Sequence, residues 1–313
     1  MINNNNTAIQ NQPRTRYVLL DLIRALAVLG VILWHLSADY GVFMNGYLSI
    51  GGIYYISLGS LSVSVFIILS GLVLSLEYRN IEIKFRHFIA KRLLRIYSVY
   101  VCIFLFTLVL FLTLDSGYKI SFLEFFGTFS GFGAFFGLWR GGNPYYFYHL
   151  LNPSWFIGMI ISLYLFFPLL RKFIQSYRIG AVISLLIVSI IFRTLLFGNF
   201  MAFMTAPEWF PLGRVFEFGL GIYLGLVIKP DIWKILNTGL KKEKALKFLG
   251  EISFPLFLVH YPLQWIYLEL LLKIGVKPFL AVILYLAASV WLSWFFLYLS
   301  KIILAKVKYY SRI

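Results

Sequence analysis

Only one cysteine, Cys102, occurs in the 313 residues. That excludes an intramolecular disulfide and a cysteine-cluster metal site. Cys102 lies in an apolar run, where a small core or lipid-facing residue is the plain reading. Charge is also scarce: Asp, Glu, Lys and Arg make up 13% of the chain, about half the share of an ordinary soluble domain. Acid is scarcest, with 12 Asp and Glu against 28 Lys and Arg, for a net charge of +16. In a soluble chain that excess would point to nucleic acid. Here the basic residues fall in short stretches between apolar runs, the pattern of cytoplasmic loops, and no nucleic-acid partner is expected. The sequence shows no internal repeat, no long linker and no appended soluble domain.

Apolar residues are abundant. The chain is 61% hydrophobic and 19% aromatic, with a mean hydropathy of +0.85. These values predict an all-α polytopic integral membrane protein. Spans are expected over 17–38, 56–77, 96–114, 153–170, 179–197, 212–228, 250–272 and 278–303, each near the ~20 residues a bilayer core requires. The Gly- and Phe-rich run 120–139 either crosses or folds back at the outer surface, and 198–211 is equally ambiguous. The expectation is a bundle of about 8–10 transmembrane helices.

Arg14 and Arg16 precede the first span. Arg79, Lys84, Arg86, Lys91, Arg92 and Arg95 follow the second. Lys229, Lys234, Lys241, Lys242, Lys244 and Lys247 fill a later stretch, and Lys301, Lys306, Lys308 and Arg312 end the chain. Placing all four groups inside puts both termini in the cytoplasm. A basic inner face attracts anionic membrane lipid and cytosolic polyanions. Residues 1–16, MINNNNTAIQNQPRTR, read as a disordered cytosolic tail, 17–305 as the membrane domain and 306–313 as a short basic tail. The first apolar run is too long for a signal peptide core and lacks a small-residue cleavage site. The loop 115–152, ending in Asn143-Pro144-Tyr145-Tyr146, reads as an outer lid or shelf, or as a plain surface loop with interfacial aromatics.

Ionisable residues inside a span are costly and therefore candidates for function. The first span carries Asp21, Arg24 and His35. Arg24 and His35 are eleven apart, which on a helix places them within about 20° of one face and roughly 16 Å apart along the axis. Asp21 is three before Arg24, in reach of an i,i+3 ion pair. Arg24 can also snorkel to the interface. His35 is deeper, and an imidazole there can serve as a base near neutral pH.

In the second span, Ser70-Gly71 permits close backbone approach or a kink. Ser70 has no neighbouring base in sequence, so a serine nucleophile is not indicated. Arg92 and Arg95 share a helical face before the third span and suit a phosphate clamp or simple positive-inside anchoring. Glu217 is an intramembrane acid with Arg214 three residues earlier. His260 lies between Pro255 and Pro262, and prolines within a span free backbone groups that line cavities. His87 and His149 lie in loops and receive no role.

Together these stretches resemble acyltransferase family 3, a family of integral membrane proteins. Asp21-Leu-Ile-Arg24 with His35 is similar to its opening helix. Val65-Phe-Ile-Ile-Leu-Ser70-Gly71 resembles its Phe-rich Ser-Gly motif, and Lys91-Arg92-Leu-Leu-Arg95-Ile-Tyr97 its Arg-x-x-Arg segment. Pro153-Ser-Trp155-Phe-Ile, Arg214 to Gly221 and Ser253 to His260 look like its later motifs. Two departures stand out. Ile160 occupies a position where the family often has glutamate, and Phe254 and Phe257 stand where tyrosines are common.

The resemblance implies a stand-alone O-acyltransferase, without a fused hydrolase-like domain, in a bacterial inner membrane. The donor would be cytosolic acyl-CoA, most simply acetyl-CoA, used as co-substrate with no resident cofactor or metal. The acceptor would be a hydroxyl of a surface glycan or its lipid-linked precursor. Arg24, Arg92 and Arg95 would meet the donor phosphates. His35 would act as general base or acyl carrier, and His260 as a second acid or base or as a structural residue. Asp21, Ser70, Trp155 and Glu217 remain substrate or structural candidates. The alternative is a proton-coupled transporter or flippase with Arg24, His35, Glu217 and His260 along a polar pathway, although no inverted repeat is visible.

Overall fold

The computed structural model describes residues 17–40, 47–50, 54–114, 120–133, 135, 150–197, 209–229, 231–232 and 243–310. The N-terminal tail, the Asn143–Tyr146 stretch, most of 198–211, and Lys234, Lys241, Lys242 and Arg312 lie outside them. The chain forms α1 (Val18–Tyr40), a hairpin of β1 (Tyr47–Ile50) and β2 (Tyr54–Ser57), α2 (Leu58–Glu77), α3 (Phe85–Leu114), α4 (Phe122–Ser130), α5 (Ser154–Tyr177) and α6 (Ile179–Phe197). After a 3₁₀ turn at Leu212–Arg214 come α7 (Val215–Val227), α8 (Glu243–Leu263), a π turn at Gln264–Leu268, α9 (Glu269–Lys273) and α10 (Pro278–Tyr310). Each expected span appears as helix. Among the described residues, five helices are long and apolar enough to cross a bilayer by themselves: α1, α2, α3, α5 and α10. The molecule is a multi-pass, α-helical membrane protein.

The differences from the sequence expectation have local causes. The connection between α1 and α2 contains a short antiparallel ribbon, pairing Tyr47 with Ser57 and Ile50 with Tyr54. Ser57 ends that ribbon and caps α2, its hydroxyl accepting from the Ser60 N–H at 2.9 Å. The basic stretch 85–97 is not a loop but the first turns of α3. Helix α10 likewise continues through 306–310.

Within the ambiguous run 120–139, the described residues include one short helix, α4. Helix α4 has nine residues, about 14 Å of rise, half a bilayer core. Ser121 caps it with a hydrogen bond from the Glu124 N–H at 3.1 Å, and Gly131 ends it at φ +77°. Its last carbonyls are satisfied within the bundle: Tyr97 Oη donates to Ser130 O at 2.7 Å, and Tyr100 Oη donates to Thr128 O. A helix that ends inside a membrane protein requires such partners, because no bulk water reaches its free carbonyls.

The most extensive contacts are those of α2 with α7, α8 with α1, and α1 with α2. The α2–α7 pair comes together because both helices present glycine. A Cβ on Gly71 would strike the Phe218 carbonyl oxygen, and one on Gly221 would strike that of Ile68. Membrane helices have little hydrophobic drive to associate, so close backbone packing carries the adhesion. The Ser70-Gly71 pair thus contributes packing through Gly71, while Ser70 itself is half-buried.

Candidate active site

At the end of the bundle that holds the 78–84 connection, α1, α2 and α3 bring their charges together. Arg24 Nη1 donates to Asp21 Oδ1 at 2.9 Å, realising the i,i+3 pair. Asp21 is buried against α8, where a Cβ on Gly250 would meet its carboxylate. Arg92 is buried and pairs with Glu77, which also takes Lys91 Nζ at 3.2 Å. Arg95 is exposed and lies within electrostatic reach of Arg92, Arg24 and Tyr164. Three guanidiniums from two helices thus share one neighbourhood with two carboxylates. Close by, Arg79 turns back to donate to the Leu226 and Ile228 carbonyls at 2.7 and 3.0 Å, closing the C-terminus of α7.

Farther along α1, on the same unbroken helix, is His35. Its ring packs edge-on to Trp34 (4.6 Å between centroids) and Tyr261 (4.8 Å), and its centroid is 5.3 Å from that of His260. The two histidines singled out from sequence, 225 positions apart, therefore form one site. Trp155 reaches it indirectly. Its ring touches Phe156 (6.0 Å), Phe156 touches Phe257 (5.0 Å), and Phe257 touches His260 (6.0 Å). Phe257, a departure from the tyrosine common in the family motif, thus forms the apolar wall behind His260.

Glu217 does not join the histidines. It lies in a separate buried cluster, where Oε1 accepts from Arg214 Nη1 at 2.9 Å and from Arg193 Nη2 at 3.0 Å. Arg214 also donates to Ser64 Oγ at 2.7 Å and Ser60 Oγ at 3.2 Å, and Arg193 Nε donates to Gly213 O at 2.7 Å. The Arg214–Glu217 pair was expected from spacing. Arg193 was not, although a charged residue inside the apolar 179–197 run was the available signal. Glu77, the counterion of Arg92, was missed as well: it sits at the end of a span, where an acid attracts no notice.

The arrangement is a membrane bundle with a cationic cluster at one end and a paired-imidazole site deeper inside. A family model described as an acyltransferase domain matches residues 17–238. The chain belongs to acyltransferase family 3 and is a membrane acyltransferase. The matched region holds Arg24, His35, Arg92, Arg95, Trp155 and Glu217; His260 lies beyond it. No curated protein and no solved structure matches the chain.

Proposed function

We propose that this acyltransferase moves an acyl group, most simply acetyl, from cytosolic acyl-CoA to a hydroxyl of a surface glycan or its lipid-linked precursor, in a bacterial inner membrane. The carrying observation is the shared neighbourhood of Arg24, Arg92 and Arg95 at one end of the helix that bears His35 at depth. On this reading the basic end faces the cytoplasm, as the positive-inside rule directs. Coenzyme A is a polyphosphate, and guanidiniums recognise phosphate by charge and by paired N–H donors.

His35 takes the proton of the acceptor hydroxyl. The hydroxyl oxygen bonds to the thioester carbonyl carbon, the C–S bond breaks, and the coenzyme A thiolate receives the proton from His35. If the acyl group first bonds to an His35 nitrogen, the thiolate leaves in that step and the hydroxyl displaces the imidazole in the next. The transporter reading uses the same residues and has no observation of its own.

The test has two arms. Mass spectrometry of surface polysaccharide with and without the gene reads the acceptor and the acyl group together. Membrane vesicles given labelled acetyl-CoA read the donor. Identical polysaccharide in both strains, with no label transferred, would remove the proposal.

A further inference from the structure

Trp34 immediately precedes His35 on α1. Its ring meets the His35 ring edge-on, with centroids 4.6 Å apart and planes at 70°. The indole also lies against the first turn of α2. A Cβ on Gly59 would stand 2.8 Å from Cδ2 and 2.9 Å from Cε3 of the ring. Glycine at that position lets the indole pack directly on the backbone of α2, which holds it in place.

The indole Nε1 is buried and, among the described residues, has no hydrogen-bond partner. This N–H can only donate. Tryptophan in a membrane protein ordinarily turns it toward water or lipid head groups at the interface. An enclosed Nε1 does not do that, and buried polar groups in native structures nearly always have a partner, so the exception calls for an explanation. A second buried atom of this kind, Nε2 of His260, belongs to another ring beside His35, with centroids 5.3 Å apart. Acyl transfer has a matching need. As the attacking atom bonds to the thioester carbon, charge collects on the carbonyl oxygen, and a fixed donor there is usually the largest single contribution to the rate. The reacting carbonyl stands about 3 Å from both the attacking group and that donor. Edge contact between the Trp34 and His35 rings supplies that proximity.

We infer that Trp34 is a catalytic residue: its indole N–H donates to the carbonyl oxygen of the acyl group while that oxygen carries negative charge. This rests on the acyl-transfer reading above. The hydroxyl oxygen bonds to the carbonyl carbon, the hydroxyl proton passes to His35, and the C=O electron pair moves onto the oxygen that accepts from Nε1–H. The carbonyl then re-forms, the C–S bond breaks, and the thiolate takes the proton from His35. Trp34 keeps its own proton throughout. Where the acyl group first bonds to His35, the same oxygen carries the charge in both steps and the same donor serves each.

The experiment uses the full chain in lipid nanodiscs, with acetyl-CoA as donor and membrane-extracted glycan as acceptor. Two variants remove the N–H. W34F keeps an aromatic ring, and replacement of Trp34 by β-benzothienylalanine keeps the size of the indole with sulfur in place of N–H. Each should lower kcat for thiol release about a hundredfold at unchanged KM for acetyl-CoA. The benzothienyl variant should keep the wild-type unfolding midpoint, and it decides the matter if W34F folds poorly. Labelling with ¹⁵N-tryptophan gives eight indole signals, and the one missing from the benzothienyl variant belongs to Trp34. That signal should move downfield with an acetyl-CoA analogue in which methylene replaces the thioester sulfur, since the analogue keeps the carbonyl and cannot transfer. Coenzyme A alone should leave it in place. Wild-type kcat in the benzothienyl variant would overturn the inference and leave the acyl-CoA reading standing, as would an indole signal that ignores the analogue or answers equally to coenzyme A. Absence of thiol release by the wild-type protein would end both.

Discussion

Arg92 and Arg95 lie one helical turn apart on α3 and occupy opposite environments. Arg92 is buried in an ion pair with Glu77, whereas Arg95 is exposed beside it. Substituting them should therefore give different phenotypes. Arg92→Ala removes the buried guanidinium from the Glu77 carboxylate and should cost about 2 kcal/mol of stability, read as a lower thermal unfolding midpoint in nanodiscs. Arg95→Ala should leave that midpoint in place and raise KM for acetyl-CoA about tenfold, the loss of one charge-assisted phosphate contact. An unchanged KM in Arg95→Ala would return that residue to membrane anchoring.

His35→Ala should reduce acyl transfer by at least about a hundredfold, the smaller end of what a lost acid–base group removes. Expression and membrane insertion should remain, because a single histidine adds little to the hydropathy of α1. Polysaccharide mass spectrometry on cells carrying the variant provides the check, and wild-type acylation would exclude His35 from the chemistry.

Glu217 is the carboxylate partner of both Arg193 and Arg214. Glu217→Ala leaves two guanidiniums facing each other without their shared counterion, and breaking a buried pair in this way costs about 3–5 kcal/mol. The expected result is loss of folded protein in detergent extracts, visible by size-exclusion chromatography. A monodisperse, fully active Glu217→Ala protein would show that the cluster does not hold α6, α7 and α2 together.

Gly221→Leu should separate α2 from α7, since even a Cβ at this position meets the Ile68 carbonyl. Overpacking of a tight contact costs about 1–3 kcal/mol. Gly275→Ala is the contrasting control for space alone: a Cβ there meets nothing within 4 Å, although its φ of +85° adds backbone strain. Thermal unfolding of both variants should rank Gly221→Leu well below wild type and Gly275→Ala between the two.

The helices were legible because apolar runs near twenty residues have few other uses, and the positions of Asp21, Arg24 and His35 followed from helical period alone. Partners across helices were not legible. Nothing local to Glu77 says that Arg92 reaches it, and nothing local to Arg193 says that it shares a carboxylate with Arg214. These pairs depend on which faces of α2, α3, α6 and α7 meet, and glycine contacts far along the chain decide that. Helix α4 was ambiguous for a related reason. Its composition suits lipid, but α4 is a short helix whose end is held by Tyr97 and Tyr100. The meeting of His35 and His260 was likewise a tertiary result, although both had drawn notice as expensive residues in apolar helices.

The Asp21–Arg24 and Glu77–Arg92 pairs also bear on how a cation cluster survives in a membrane while empty. Arg24 and Arg92 each have an anion of the protein's own to hold. At those two positions an arriving phosphate would exchange places with a carboxylate. The binding energy is then a difference between two ion pairs rather than the worth of one. Release of product would be assisted by the carboxylates returning, so the same residues that keep the empty site folded would also keep the donor from staying.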